Sequence, residues 1–242
     1  MQIDNRCRRK FIFRFGDCDC QKRASVYSIM KLLTELSGED YEERGLGHSF
    51  LWERGQTFLI SRMRLQMARL PVYTEEIVAD TWERTVKGPY FYRDYDLYTP
   101  EGERLIIGTS MWMLIDPATR EILRPAALVG GMPKGSDEYV PCADCKKQRP
   151  NIELPLLGSR RIYYSDLDAN GHVNNAVYCK IASDYLPETV HKAALKALDL
   201  TFSMETRLGQ TLELRGGETS GGFVIQGFVE NTMHFSCEYE LQ

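Results

Sequence analysis

Two long helices are indicated by apolar residues that recur at helical spacing. The first segment covers residues 24–36 (ASVYSIMKLLTEL), and the second covers residues 174–186 (NNAVYCKIASDYL) and ends before Pro187. Around the second segment, four apolar residues lie four positions apart: Val173, Val177, Ile181 and Tyr185. This spacing is typical of a helix with one buried stripe.

Alternating apolar and polar residues predict strands on both sides of each helix. A short β stretch precedes each helix, at residues 10–15 (KFIFRF) and 160–165 (RRIYYS). Strand-like segments separated by turns follow each helix, at residues 58–67, 75–85, 90–99, 104–116, 197–204, 210–218, 221–229 and 234–241. One long helix against several antiparallel strands, formed twice, predicts an α+β fold with helix packed on sheet.

A proline-rich connector divides the chain. Five of the ten prolines lie between Pro125 and Pro155, in a stretch that also contains several glycines. The sequence therefore predicts a first unit over residues 1–125, a connector over residues 126–157 and a second unit over residues 158–242. Because the second unit would expose much apolar strand surface on its own, we expect the two sheets to join.

Hydrogen-bonding side chains are concentrated before the second helix, in residues 165–178 (SDLDANGHVNNAVY). A shift of 149 positions aligns this segment with the same junction in the first unit. The aligned pairs are Asp17 with Asp166, Asp19 with Asp168, Gln21 with Asn170, Arg23 with His172 and Ser25 with Asn174. Both copies keep the aspartates, which therefore belong partly to the fold, whereas Asn170 and His172 are the better markers of chemistry.

Helix capping is the alternative interpretation of this cluster. Asp and Asn are favoured at helix N-termini, so capping explains Asp168, Asn170 or Asn174 taken one at a time. Their combination with His172 favours a functional site. The other histidines lie in no such motif and are interpreted as structural or solvent-exposed: His48, His191 and His234.

The segment 165–178 resembles the D-x-N-x-H-V-N-N signature of acyl-acyl carrier protein (ACP) thioesterases, which end fatty-acid synthesis. In the first unit, SRMRLQM, DTWE and RDYDLYTPEGERLIIGTSMWMLID are similar to the N-terminal half of the family, so the resemblance runs from about residue 10 to the end. It implies a double hotdog fold of two tandem units, each with a long helix packed on an antiparallel sheet. Only the C-terminal unit would be catalytic, and the enzyme would hydrolyse acyl-ACP to fatty acid and ACP.

The functional Asp, Asn and His of the family correspond to Asp168, Asn170 and His172. Its functional Glu lies on a strand after the helix, and the segment FSMETRLGQ places it at Glu205. Some relatives have Cys after this Glu. The Thr206 found here argues against a Cys nucleophile.

Hydrolysis of a thioester requires an activated water and stabilisation of the developing oxyanion. A helix N-terminus supplies a partial positive charge, and the Asn170 and His172 side chains can donate to the oxyanion. Glu205 or Asp168 would be the general base, and we favour Glu205. Strict alternation along residues 197–204 puts Glu205 opposite the apolar side chains, so either a bulge intervenes or this polar face meets the other unit.

The resemblance also implies an apolar tunnel for the acyl chain, lined largely by the first unit. Candidate substrate-binding residues are Met30, Leu33, Trp112 and Met113 in the first unit, with Asn174 and Asn175 beside the catalytic cluster. Core packing explains the four apolar residues equally well.

The formal net charge of −4 gives no overall attraction to nucleic acid or to an acidic membrane, and neither partner is predicted. The strongly acidic ACP would bind a local basic patch, for which residues 6–10, 146–149 and 160–161 are candidates. No run of eighteen apolar residues and no signal-peptide pattern is found, which favours a cytoplasmic protein. The sequence leaves a homodimer open.

Seven irregularly spaced cysteines indicate reduced thiols. Cys142 and Cys145 have zinc-knuckle or redox spacing, but no second ligand pair stands nearby and no metal is predicted. Neither a G-x-S-x-G elbow nor a nucleotide-binding fingerprint occurs, so no cofactor is predicted. Two alternatives remain: an acyl-coenzyme A thioesterase, or a non-catalytic hotdog protein that binds acyl thioesters.

Overall fold

The computed structural model describes residues 6–242, in which strands and helices follow the predicted order. The strands are β1 (Cys7–Ile12), β2 (Thr57–Met67), β3 (Glu76–Glu83), β4 (Tyr90–Tyr98), β5 (Arg104–Ile115), β6 (Leu156–Arg161), β7 (Leu195–Phe202), β8 (Thr211–Thr219), β9 (Gly222–Val229) and β10 (Thr232–Leu241). The helices are α1 (Val26–Glu43), α2 (His48–Trp52), α3 (Asn175–Asp184) and α4 (Glu188–Lys192). In this part of the chain, no helix is both long and apolar enough to cross a membrane.

One antiparallel sheet contains all ten strands, in the order β1-β3-β4-β5-β2-β7-β10-β9-β8-β6. The five strands of each unit follow the same internal order, so the two halves are related by approximate two-fold symmetry. The halves meet at β2 and β7, where Met63 pairs with Leu200 and Leu65 pairs with Leu198. The prediction that the two sheets join is confirmed.

The two long helices pack on one face of this sheet and contact each other. The side chain of Ser25 accepts the Ser28 N–H (3.1 Å) at the start of α1, and the side chain of Asn174 accepts the Ala176 N–H (2.9 Å) at the start of α3. The predicted stripe of α3 is buried at Val173, Val177 and Ile181. The α+β class and both helix starts are confirmed, but α1 continues to Glu43 instead of ending at residue 36.

The connector crosses the opposite face of the sheet. Its backbone N–H groups donate to side chains of β4, β2, β7 and β9 in turn: Val140 to Asp94 (3.0 Å), Ala143 to Gln66 (2.8 Å), Gln148 to Thr201 (3.4 Å) and Asn151 to Gln226 (2.8 Å). The thiols of Cys142 and Cys145 are part of this contact and are free. Burial raises the pKa of both thiols to about 12, which disfavours the reactive thiolate.

Candidate active site

A turn of 3-10 helix precedes each long helix and is held by the first aspartate of each junction. Asp166 Oδ2 accepts the Tyr163 N–H (2.8 Å), and Asp17 Oδ2 accepts the Arg14 N–H at the same distance (2.8 Å). Asp166 is buried and also pairs with Arg160. These two aspartates have the same structural role in both units.

The second aspartate of each junction holds a tight turn. Asp168 Oδ1 accepts the backbone N–H of Asn170 (2.9 Å), and the Asp168 N–H donates to the carbonyl of His172 (2.9 Å). Gly171 lies at φ 75°, a conformation that glycine adopts at little cost, and closes the turn. The turn presents the side chains of Asn170 and His172 beside the start of α3.

Glu205 reaches the cluster because β7 ends before it. The strand stops at Phe202, and the next two N–H groups, of Ser203 and Met204, both donate to the carbonyl of His234 (2.8 and 3.2 Å). The chain then leaves the sheet, so strand alternation does not govern the direction of Glu205. Two successive N–H groups opposite one carbonyl have the pairing of a β-bulge, which is one of the two alternatives that the sequence left open.

The side chains of Glu205 and His172 meet in front of α3. Backbone pairing between Val173 and Thr206 (N–H to carbonyl, 2.9 Å) joins the two segments, and His172 Nε2 lies 3.0 Å from Glu205 Oε2. Both side chains are about one fifth exposed (22% and 23%), so water can reach them. The site therefore contains a carboxylate and an imidazole in direct contact, next to the Asn170 amide.

The first unit contributes a cation to this site. Arg120, in the turn after β5, forms an ion pair with the other carboxylate oxygen of Glu205. Burial, together with the charges of Arg120 and Arg207, holds the pKa of His172 below its ordinary value of 6.5, against the opposing effect of Asp168. His172 is therefore neutral at pH 7, and its Nε2–H can donate to Glu205.

A buried hydrogen-bond network supports the Glu205 segment from behind. The hydroxyl of Thr206, which is fully buried, accepts from the Tyr178 hydroxyl (2.9 Å) and shares a hydrogen bond with Nδ1 of His234 (2.8 Å). The Thr206 N–H donates back to the Tyr178 oxygen (3.0 Å). These contacts hold Thr206, the residue that follows Glu205, in place. Its buried hydroxyl is not available to solvent as a nucleophile.

Acid is expected to destabilise the protein partly through His234. Burial lowers the pKa of His234, which is only 5% exposed, below its ordinary value of 6.5. The unfolded chain therefore binds this proton more readily, and the free energy of unfolding should fall as the pH drops below about 6.5. We expect His234→Gln to flatten this decrease, measured by urea unfolding between pH 7.5 and 5.5. His191→Gln, at an exposed site, is the control, and an unchanged slope in His234→Gln would contradict the prediction.

His48 of the first unit contacts Asn170 of the candidate site. Its Nε2 lies 3.0 Å from Oδ1 of Asn170, and its ring stacks on Trp52 with a centroid distance of 5.4 Å. His48 is the first residue of α2. His48 is exposed, in agreement with the interpretation from the sequence, and its contact with Asn170 was not predicted.

A cavity of about 580 Å³ opens beside His48 and extends under the C-terminal half of α1. Its apolar wall consists of Leu46, Leu51, Phe58, Phe91 and Trp112. A volume of this size lies within the range of small-molecule pockets. All the residues that line the cavity belong to the first unit, and one of them, His48, contacts Asn170.

The four predicted apolar acyl-binding residues lie in three different parts of the structure. Trp112 lines the cavity, whereas Met30 and Leu33 are fully buried in the core above the sheet. Met113 follows Trp112 in β5 and therefore points to the opposite face, where it lines a groove under the connector. Met113 thus does not contact the cavity, which corrects the expectation that it faces inward.

Asn174 and Asn175 lie at the start of α3, as the sequence indicates. The side-chain oxygen of Asn174 caps the helix, which is the role that Ser25 has in α1. Asn175 is the first residue of α3 and is half-buried. The structure thus supports the capping interpretation for Asn174.

Part of the cavity wall is charged. Arg93, which is 2% exposed, donates to Asp40 (2.6 Å), and Arg44 donates to both Glu83 (2.6 Å) and Asp40 (2.8 Å). The Tyr41 hydroxyl donates to Glu83. We call these five residues the Arg93 cluster. Three of its members, Tyr41, Glu83 and Arg93, line the cavity.

The equivalent junction of the first unit has no counterpart of the Asn170, His172 and Glu205 side chains. It has the same backbone pairing, with the Ala24 N–H donating to the Pro71 carbonyl (2.7 Å) where Val173 donates to Thr206. Leu70 therefore occupies the position of Glu205. The aligned positions are Gln21 for Asn170, Arg23 for His172 and Leu70 for Glu205.

The sequence did not indicate His48 or Arg120. Both come from the first unit and contact residues far along the chain, with 122 positions separating His48 from Asn170. No local motif marks either residue. The sequence left open whether Glu205 meets the other unit, and the ion pair between Glu205 and Arg120 is such a contact.

Solved structures with the same architecture define the class of fold. An acyl-ACP thioesterase from Bacteroides thetaiotaomicron superimposes with a TM-score of 0.87, at 20% identity and with 98% of each chain covered. A 12:0-ACP thioesterase from Umbellularia californica gives a TM-score of 0.88, at 19% identity and with 98% and 97% covered. The fold is a double hotdog, as the resemblance implied.

Family comparison then identifies the chain more closely. Residues 4–126 match the acyl-ACP thioesterase N-terminal domain, and residues 158–242 match the C-terminal domain. The chain belongs to the acyl-ACP thioesterase family. It is 24% identical over 222 residues to a chloroplastic acyl-[acyl-carrier-protein] hydrolase of Cuphea viscosissima, which covers 85% of this chain and 53% of the relative. The palmitoyl-ACP thioesterase of Arabidopsis thaliana is 22% identical over 219 residues, covering 82% and 52%. The chain thus spans about half the length of these relatives.

Proposed function

We propose that this chain hydrolyses the thioester of acyl-ACP to release a fatty acid and ACP. The observation that carries the proposal is the contact between His172 and Glu205 beside Asn170, in the unit that keeps all three side chains. Family membership supports the same reaction. Residues 158–242 would be the catalytic unit, and residues 1–125 would bind the acyl chain.

Glu205 would act as the general base. It takes a proton from water as the water oxygen attacks the thioester carbon, and the Nε2–H of His172 holds the carboxylate in place. The Asn170 amide and the positive end of α3 would stabilise the oxyanion. When the carbon–sulfur bond breaks, the proton on Glu205 passes to the leaving thiolate. Asp168 would orient the turn, because its carboxylate already accepts the Asn170 N–H.

The acyl chain would enter the cavity beside His48. His48, which contacts Asn170, lines this cavity, and the apolar wall of Leu51, Phe58, Phe91 and Trp112 suits an alkyl chain. The polar Arg93 cluster would limit how far the chain extends, because a buried charged group cannot lose its ion-pair partners without a large cost. Asn175 remains a candidate substrate contact at the start of α3.

The carrier would dock on a basic groove on the connector face of the sheet. Two of the predicted basic segments are largely ion-paired: Arg9 with Glu39 and Glu43, and Arg160 with Asp166. The third lies in a groove of about 680 Å³ lined by Arg62, Lys147 and Arg149, none of which is ion-paired in residues 6–242. The same groove includes Ser203, two residues before Glu205. Charge complementarity to an acidic carrier therefore favours this groove over the other segments.

Thiol release from acyl-ACP, acyl-coenzyme A and an acyl N-acetylcysteamine thioester would test the proposal. We expect the highest kcat/KM with acyl-ACP, and we expect an increase from 50 to 300 mM NaCl to reduce that value much more than the value for the uncharged thioester. Equal salt sensitivity would contradict the docking groove. A preference for acyl-coenzyme A would make the chain an acyl-coenzyme A thioesterase, and thioester binding without thiol release would indicate a non-catalytic acyl-binding protein.

The variant Lys147→Gln/Arg149→Gln locates the docking surface. We expect it to raise KM for acyl-ACP while kcat for the N-acetylcysteamine thioester stays unchanged. Lys22→Gln, on the turn of the first unit, is the matched control for loss of a surface charge.

A further inference from the structure

The two short helices, α2 and α4, occupy equivalent positions in the two halves. Each follows the long helix of its own unit and lies over the polar turn of the other unit. Helix α4 covers the turn of the first unit, where the side chains of Gln21 and Arg23 both donate to the carbonyl of His191 (2.8 Å each). Helix α2 covers the turn of the second unit, where the contact is between the side chains of His48 and Asn170. The contact made by α2 can therefore be compared with the contact made by α4 at the equivalent position.

The two positions differ in their cavities as well as in their contacts. The hollow between α4 and the first turn is only about 130 Å³, and Arg23 bridges Asp19 and His191 across it. The cavity beside α2 is about 580 Å³. The position at α4 is closed by hydrogen bonds to the backbone carbonyl of His191. The position at α2 is open, and its contact is made by the exposed imidazole of His48.

We propose that His48 of the first unit is a positioning residue that orients the Asn170 amide for catalysis in the second unit. This inference rests on the proposed hydrolysis. Donation from His48 Nε2–H to Asn170 Oδ1 leaves the amide NH₂ of Asn170 as the group that faces the thioester oxygen. Without this donor, the amide of an exposed Asn can rotate and present its oxygen instead.

Several contacts fix the His48 ring for this role. It stacks on Trp52, with an angle of 25° between the ring planes, and the His48 N–H donates to Glu42 Oε1 (3.1 Å). His48 also lines the cavity, so a chain that fills the cavity packs against the ring that holds Asn170. The first unit would therefore couple acyl binding to the geometry of the catalytic amide.

The test is a double-mutant cycle on the full chain, with acyl-ACP as substrate. We expect His48→Ala to lower kcat roughly 10- to 100-fold, the loss typical of one positioned hydrogen bond, with little change in KM. His48→Gln should recover part of kcat, because its amide NH₂ can donate to Asn170. Combining His48→Ala with Asn170→Ala should cost no more than Asn170→Ala alone.

Controls separate this inference from the hydrolysis itself. His191→Ala, on the equivalent helix α4, should keep full kcat because its contacts use the backbone carbonyl. Additive losses in the cycle, a rise in KM alone, or full activity in His48→Ala would overturn the positioning role. A wild-type chain that releases no thiol would instead refute the proposed hydrolysis. Thermal unfolding of each variant shows whether a loss of activity is a loss of fold.

Discussion

Glu205→Gln is expected to lower kcat for thioester hydrolysis by about 10²- to 10⁴-fold, the usual contribution of a general base. Glutamine keeps the shape of the side chain and can still contact His172, but it cannot accept a proton from water. The ion pair with Arg120 is lost as well. KM should change little, because the proposed acyl cavity and docking groove do not involve this carboxylate. Steady-state thiol release from acyl-ACP gives both parameters.

Asp168→Asn separates the two candidate bases. Its side-chain oxygen can still accept the Asn170 N–H, so the turn should persist and the loss of kcat should be much smaller than in Glu205→Gln. Glu153→Gln, exposed on the connector, controls for the loss of one negative charge. If Asp168→Asn is the inactive variant and Glu205→Gln keeps most of its activity, the assignment of Glu205 as the base is wrong.

Arg93→Met is expected to reduce the free energy of unfolding by about 3–5 kcal/mol, the cost of removing one partner of a buried ion pair. Arg93 is 2% exposed, and its removal leaves the carboxylates of Asp40 and Glu83 with Arg44 as their remaining cation. Methionine fills similar space, so lost packing explains little of the effect. Urea unfolding at neutral pH measures it.

Arg54→Met is the matched control for the Arg93 cluster. Arg54 is exposed and pairs with Glu53 at 3.7 Å, so its replacement should cost less than about 1 kcal/mol. Equal effects of the two substitutions would show that the Arg93 cluster contributes no more than a surface pair. The charged part of the cavity wall would then lack the rigidity needed to limit the acyl chain.

Strands and long helices could be predicted because periodicity and capping are local properties. The α3 stripe at Val173, Val177 and Ile181 and the cap at Asn174 are both found where the sequence places them. The end of α1 could not be predicted, because residues 37–43 are mostly polar and do not continue the apolar periodicity. Helices α2 and α4 have five residues each, too few for a periodic signal.

The candidate site was predictable only in part, for a different reason. Asn170 and His172 lie within one turn, so a comparison inside the chain separates them from capping residues, whereas Asp168 is matched by Asp19. Glu205 required the motif, because its direction depends on where β7 ends. His48 and Arg120 depend on contacts between units, which no local pattern encodes.

The approximate two-fold symmetry of the sheet has a consequence for how this molecule can change. In an assembly of two identical hotdog chains, every substitution occurs at two places, so a large cavity and a small one cannot coexist. The covalent connector removes that constraint, and the two cavities here, about 580 and 130 Å³, have diverged at equivalent positions. A substitution that reshapes the large cavity therefore leaves the small, tightly packed half unaltered, and that half can keep its stability while the other half changes.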